Sequence, residues 1–422
     1  MNTDLFIEML QIDSTSGRER EFADFLAERL LTSKCRLERF DVESMKGDAP
    51  DGCGCPQNLL FSWGEPRIIF CTHLDTVPPY IAPSFSESAS SYISGATADA
   101  SLSFSGITQD VSHYSVLSED VPPVLVDGDS IGLNEGDSTV FRGRGTCDAK
   151  GQIFAMYEAC LELERRGYDG FGLLLLAGEE TGSYGAKAFR DAHPGAEWVV
   201  VGEPTDNHMA SAAKGTKSFE VTFTGEAFHS GYPQYGSSAV LMFNDFVNAL
   251  RSIGFPHDPV LGETTWNIGK LSSDNPQNIL SNRLTCRVYF RTTFESDEMV
   301  CNIMKNIAGP QARLRFGRPQ VQDGSDIVAK EVAPWQKAMS VVAFGGDSPT
   351  RFETLYGFPV KPVSFGSDAP QLTNCPKKIL CGPGSILVAH RDDEQIALAD
   401  LEKAVQNYVK IYEQLRPVPV LD

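Results

Sequence analysis

His73 and Asp75 stand two residues apart in Cys71-Thr72-His73-Leu74-Asp75-Thr76-Val77, directly after the apolar run Arg67-Ile68-Ile69-Phe70-Cys71. An imidazole that ligates a metal needs its second ring nitrogen held. A carboxylate two residues on, turned to the same side by the period-two alternation of a strand, can do that. Four further places offer groups of the same kind. Asp148 lies in a Gly-rich turn, Gly143-Arg144-Gly145-Thr146-Cys147-Asp148-Ala149-Lys150-Gly151, and Glu179 and Glu180 follow the run Gly172-Leu173-Leu174-Leu175-Leu176-Ala177. Glu203 follows Trp198-Val199-Val200-Val201, and His390 ends the stretch that begins at Gly382-Pro383-Gly384-Ser385. Imidazoles and carboxylates in such a set suit two zinc ions per chain, which would supply the Lewis acid and the activated water that amide hydrolysis needs at neutral pH. Nitrogen and oxygen sites of this type also accept Co2+ or Mn2+.

Each of these residues has an ordinary explanation when taken singly. A strand-end histidine is commonly a hydrogen-bonded surface group, an acidic pair is commonly a solvated corner, and an aspartate in a Gly-rich turn commonly serves the turn. The argument for a site is that five separate places, most of them strand ends, present zinc-ligand types, and open α/β sheets place their sites at the carboxyl ends of their strands.

The elements that must position these groups are legible from periodicity. Residues 5–31 carry apolar positions at helical spacing, interrupted near Ser14-Thr15-Ser16-Gly17, and are read as two helices. Residues 58–61, 67–71, 172–177 and 198–201 are continuous apolar runs of the kind found in buried strands, alternating with helices at 152–166 and 184–193. That order predicts an α/β fold, a mixed and mostly parallel sheet flanked by helices. The pattern changes near residue 214, where Ser218-Phe219-Glu220-Val221-Thr222-Phe223-Thr224 alternates with period two. Helices at 239–253 and 297–307 and strands near 265–271, 284–292 and 313–316 complete a β-α-β-β-α-β unit. The expected organisation is a first part of the larger domain over 1–211, an inserted α+β domain over 212–326, and a second part of the larger domain over 327–422. Residues 84–120, rich in Ser, Ala, Asp and Gly, are read as an inserted loop.

The 422 residues carry a formal net charge of −20, which disfavours nucleic acid and anionic membrane as partners. No apolar run reaches the ~18 residues of a membrane span, and the N-terminus lacks the basic and apolar regions of a signal peptide. The ten cysteines are scattered rather than spaced as a disulfide framework, and Cys53 and Cys55 have no second pair at zinc-ribbon spacing. Reduced thiols in a cytoplasmic protein are the simpler expectation.

The chain resembles the dizinc metallopeptidase family that includes acetylornithine deacetylase, succinyl-diaminopimelate desuccinylase, aminoacylase and glutamate carboxypeptidase. Five motifs carry the resemblance in order: His73-Leu74-Asp75-Thr76-Val77, Gly145 to Gly151, Gly178-Glu179-Glu180-Thr181-Gly182-Ser183, Gly202-Glu203-Pro204-Thr205, and Gly382 through His390. Together they span nearly the whole chain, and the wording around Asp148 and Glu203 is most similar to the acetylornithine deacetylase branch. The resemblance implies that Asp148 bridges two zincs, with His73 and Glu203 on one and Glu180 and His390 on the other. It implies Glu179 as general base and Asp75 as the residue orienting His73. The inserted domain would be a lid and dimerisation domain, with His229 reaching a neighbouring subunit's site to stabilise an oxyanion, and with Asn278 and Arg291 helping to bind substrate. Tyr289 departs from the family, which often has Asp two residues before the lid Arg. Ala213, before Lys214-Gly215, stands where a basic or aromatic residue is frequent.

The leading expectation is therefore N-deacylation of an N-acyl amino acid by a homodimer. A dipeptidase or carboxypeptidase on the same machinery is the alternative. A non-catalytic relative would lack a ligand or the base, yet every motif position is filled. A serine hydrolase would need a Gly-x-Ser-x-Gly elbow, which the sequence does not contain.

Overall fold

The computed structural model describes residues 1–45, 54–86, 139–316 and 331–416, and the backbone alone of 320–321 and 327–328. Six strands form the larger sheet in the spatial order Arg36–Asp41, Gln57–Trp63, Phe171–Leu176, Ile68–His73, Trp198–Val201, Lys377–Leu380. The last four run parallel to one another, and Gln57–Trp63 lies antiparallel between them and Arg36–Asp41, so the sheet is mixed and mostly parallel, as the alternating pattern predicts.

Alternation within these strands explains their unbroken apolar sequences. Ile68, Phe70, Leu173 and Leu175 face one core, shared with the helices Thr3–Leu10, Glu19–Arg29, Lys150–Arg165 and Leu398–Leu415. Ile69, Cys71, Leu174 and Leu176 face a second core on the opposite side, with Ala186 and Phe189 of the helix Tyr184–Ala192. A strand covered on both faces has no place for an exposed polar position. The helix Leu398–Leu415 buries Leu401, Ala404, Tyr408, Ile411 and Tyr412, a stripe at three- and four-residue spacing, and Tyr408 meets the Phe70 ring edge-on at 5.7 Å. A large aliphatic side chain such as Leu401 or Ile411 contributes roughly 1.5–3 kcal/mol on burial.

The smaller sheet has the order Thr265–Ser272, Arg283–Thr292, Gly215–Thr224, Met339–Ala343, antiparallel throughout. Its inward residues Phe219, Val221, Phe223, Val288 and Phe290 pack with the helices Ala239–Arg251 and Asp297–Asn306 into a separate core. The β-α-β-β-α-β order therefore holds, with one correction. The fourth strand is Met339–Ala343, not the segment near 313–316. Leu314 and Phe316 are apolar because they pack against the small core from outside, Phe316 lying 5.7 Å from Trp335, and they pair with no strand among the described residues. The chain consequently remains in the smaller sheet through residue 343, past the expected return at 327.

Residues 84–86 of the expected insertion form a short strand paired with Val140–Arg142, which in turn pairs with Gln395–Ala397. Residues 87–120, like Cys53, lie outside the described residues. No described helix is long and apolar enough to cross a membrane.

Candidate metal centre and cleft

Four parallel strands side by side bring their carboxyl ends to one edge of the larger sheet. His73 is the last residue of its strand. Glu179 and Glu180 open a short helical turn after the Leu173 strand, following Gly178, whose left-handed backbone (φ 71°) makes the bend. Glu203 is two residues past the Trp198 strand, Asp148 precedes the helix Lys150–Arg165, and His390 lies in the loop beyond Lys377–Leu380. The first three strand ends are thus neighbours because their strands are neighbours.

These side chains meet. His73 Nε2 lies 3.0 Å from Asp148 Oδ1, and His390 Nε2 lies 3.2 Å from Asp148 Oδ2 and 2.8 Å from Glu180 Oε1. One buried carboxylate therefore contacts two imidazoles through its two oxygens. Potential ligand atoms of His73, Asp148 and Glu203 lie within 4.8 Å of one another, and so do those of Asp148, Glu180 and His390. Glu179 joins His73 and Glu180 in a third such set.

The electrostatics of the cluster fit a bound cation. Burial pushes the carboxyls of Glu179, Glu180 and Glu203 upward, and each is raised further by neighbouring carboxylates. Asp148 is also buried, yet hydrogen bonds from His390 and His73 hold it below the usual carboxylate range. His390 is pushed up to about 10 by its hydrogen bonds to Asp148 and Glu180. Burial opposes protonation of His73, but hydrogen bonds to Asp148 and Asp75 prevail and raise it. Carboxylates forced together out of water are costly unless positive charge is present. Two nitrogens and several oxygens converging on such a place form a donor set suited to divalent ions.

Asp75 is fully buried. Its carboxylate accepts hydrogen bonds from Ser16 Oγ at 2.8 Å and from the backbone N–H groups of Glu179 and Glu180 at 3.0 and 3.2 Å. His73 Nδ1 is 2.8 Å from the backbone carbonyl of Asp75 and 3.5 Å from its carboxylate. The ring is thus held first by the Asp75 main chain, because the side chain is engaged with the Glu179–Glu180 turn. A carbonyl can only accept, so Nδ1 donates to it, which leaves Nε2, the nitrogen directed at Asp148, as the one that would ligate an ion once its own proton is displaced.

Sequence reading missed the support beneath Asp148. Glu394, fully buried, accepts from the backbone N–H groups of Cys147 and Asp148 at 3.1 and 3.2 Å and pairs with buried Arg144 at 2.7 Å. In sequence it is only the last residue of Asp392-Asp393-Glu394, which resembles a solvated acidic run. Asp368, also buried, is pushed up to about 7, chiefly by burial.

A cleft of about 710 Å³ opens over this cluster, bounded opposite by the outward face of the smaller sheet, including Thr216, Ser218, Tyr289 and Arg291. Arg291 thus shares the cleft with Asp148, Glu179, Glu180, Glu203 and His390. His229 and Asn278 do not line it. They lie together elsewhere on the smaller unit, where His229 bridges to Ile279 and Ser230 N–H donates to the Asn278 carbonyl at 2.9 Å.

The chain matches the model of peptidase family M20/M25/M40 over residues 112–414. It belongs to that family. Among curated relatives, a probable carboxypeptidase of Aspergillus terreus is 30% identical, covering 96% of this chain and 84% of its own. Two solved structures share the fold. A tripeptidase of Staphylococcus aureus aligns with a TM-score of 0.66 at 16% identity, covering 98% of both chains. An M20 family metallo-carboxypeptidase of Sulfolobus solfataricus aligns with a TM-score of 0.59 at 14% identity, covering 98% of this chain and 99% of that one. The family fixes the coarse activity: the protein is a metal-dependent hydrolase of the M20 peptidase type.

Proposed function

We propose that this M20 hydrolase cleaves a peptide bond beside a free C-terminal carboxylate, as a carboxypeptidase or dipeptidase, with two zinc ions per chain. The observation that carries this reading is Asp148, whose two oxygens face two different imidazoles within a cleft that also holds Arg291. His73 and Glu203 would hold one ion, Glu180 and His390 the other, and Asp148 both. When bound, the ions supply Lewis acidity for the scissile carbonyl and a water acidified enough to attack near neutral pH.

The protein's own groups perform the remaining work. Glu179 is a partly buried carboxylate whose proton affinity is raised by desolvation and by Asp368, Glu180 and Asp75, against the opposing influence of His73. It takes the proton of the attacking water and returns it to the departing nitrogen. Asp75 fixes both the turn that carries Glu179 and the tautomer of His73. Arg291 receives the substrate carboxylate as a planar, permanently charged fork.

N-deacylation remains the second reading, favoured by the Gly145-Thr146-Cys147-Asp148 and Glu203-Pro204-Thr205 motifs. The carboxypeptidase names of the curated relatives put peptide hydrolysis first. A panel of dipeptides, their C-terminal amides and N-acetyl amino acids separates the two. The account expects dipeptides to be cleaved and their amides to resist. Preferential cleavage of N-acetyl amino acids would reverse the order.

We further propose a twofold dimer through the smaller unit. Around His229 and Asn278, the side chains of Phe228, Tyr232, Tyr235 and Ile279 are exposed, with Phe228 and Tyr235 rings 5.5 Å apart and Tyr232 5.8 Å from His229. A second copy would cover this surface and could receive His229 in its cleft as an oxyanion donor. Mixing inactive His229→Ala and Glu179→Ala proteins tests this. Sharing between subunits restores part of the activity, whereas a baseline signal despite proven exchange rules sharing out.

A further inference from the structure

The cleft face of the smaller sheet carries two arginines. Along the strand Arg283–Thr292, Cys286, Val288 and Phe290 point into the small core, so Arg287, Tyr289 and Arg291 share the opposite face. Their partners across the sheet are Glu220, Ser218 and Thr216. All three side chains line the cleft, together with Phe344, Asp148 and His390. Four residues of strand separate the two arginine Cα atoms by ~13 Å.

Arg287 is stacked on an aromatic ring and paired, at long range and without a hydrogen bond, with Glu220. Its guanidinium lies 3.5 Å over the Phe344 ring, and its side chain is 28% exposed. Glu220 Oε2 is 3.5 Å from Nε, and that Nε is buried with no hydrogen-bond partner among the described residues. Stacking fixes the guanidinium plane while leaving its in-plane donors to meet an acceptor. On a chain of net charge −20, an anionic ligand gains nothing from the overall field and depends on such local cations.

We infer that Arg287 and Phe344 form a second anion subsite, one that takes a side-chain carboxylate of the substrate while Arg291 takes its terminal carboxylate. The inference rests on the proposed peptidase reading and narrows its substrate class to dipeptides and short peptides that carry an acidic residue. The incoming carboxylate would face the guanidinium edge-on, in competition with Glu220.

The test compares matched peptides that differ only in charge. Metal-loaded full-length protein is assayed on Ala-Glu against Ala-Gln and on Glu-Ala against Gln-Ala. The expected result is a kcat/KM at least ~10-fold higher for the acidic member of one pair, the scale of a charge-assisted bidentate contact. Arg287→Ala, and Arg287→Gln where the alanine variant folds poorly, should bring that ratio close to one. A ratio near one in the unmodified protein, or a ratio that survives both variants, overturns the subsite. Binding of the same peptides to Glu179→Gln protein, followed by calorimetry, reads the subsite without turnover. If no dipeptide is hydrolysed, the peptidase reading fails, and the calorimetric ratio still decides whether the subsite exists.

Discussion

On the large-sheet side of the cleft, His73, Asp148, Glu180 and His390 are bound to one another, whereas on the small-sheet side Arg287 and Arg291 rest against aromatic rings. In the first group His73 and Asp148 are buried, Glu180 is partly buried and His390 is exposed, and the group is backed by a further layer: Asp75 under His73 and the Glu179–Glu180 turn, Glu394 and Arg144 under Asp148. The second group stands on one face of a strand with its polar atoms toward the cleft. The difference separates two tasks. Ligands for an ion must be held in fixed positions before the ion arrives, because small displacements forfeit coordination. Groups that select a substrate must keep donors uncommitted until the substrate supplies the acceptors. Substitutions on the large-sheet side should therefore alter kcat or ion affinity, and those on the small-sheet side should alter KM.

The sharpest way to break this division is Glu179→Gln, which keeps shape and removes the base. We expect kcat to fall at least ~10²-fold with the ion content of the protein unchanged, measured by steady-state kinetics beside elemental analysis. Loss of an ion instead would make Glu179 a ligand. Next in size, Asp75→Asn should weaken ion affinity by ~10–100-fold in chelator competition, because it disturbs the support of His73 and of the Glu180 turn together. An unchanged affinity would show that the Asp75 main chain alone suffices.

A third effect follows from His390, whose pKa is pushed up to about 10 by Asp148 and Glu180. Ligation needs the neutral ring, so the metal-free site holds a proton that an ion must expel. Ion affinity should then rise with pH across the neutral range and fall about tenfold per unit of acidification for each proton displaced. The same raised value means that protonated His390 stabilises the metal-free fold fully below its unfolded pKa of ~6.5, and that this stabilisation is lost as pH climbs through about 10. Affinity that is flat between pH 6 and 8 would contradict the assignment of His390 as a ligand. The smallest expected change is Arg291→Lys, which keeps the charge and loses the fork. KM for a dipeptide should rise ~5-fold while ion affinity stays as it was. A fall in ion affinity would merge the two sides.

Much of the larger unit is legible in sequence because its strands are covered on both faces. Leu173 to Leu176 reads as a buried strand in an alternating pattern, which places the acidic pair directly after it at a strand end. The same reasoning reaches His73 and Glu203. Asp148 and His390 are less visible, since each stands in a loop whose path depends on tertiary contacts, and the family motifs rather than periodicity single them out. Residues that act only through tertiary neighbours leave no local mark. Glu394 ends an acidic run of ordinary appearance, and Arg287 alternates like any exposed strand residue. The strand Met339–Ala343 escapes because only Met339 is buried, and the apolar Leu314 and Phe316 imitate the strand it supplies.

The central claim is that Asp148 joins two ion sites. It is tested most directly by removing all metal with a chelator and returning zinc in measured equivalents while following dipeptide hydrolysis. The account predicts no activity in the metal-free protein and full recovery at about two zinc ions per chain, with Asp148→Asn retaining neither ion tightly. Full activity without metal would contradict it, and so would an Asp148→Asn protein that binds both ions as tightly as the unmodified chain.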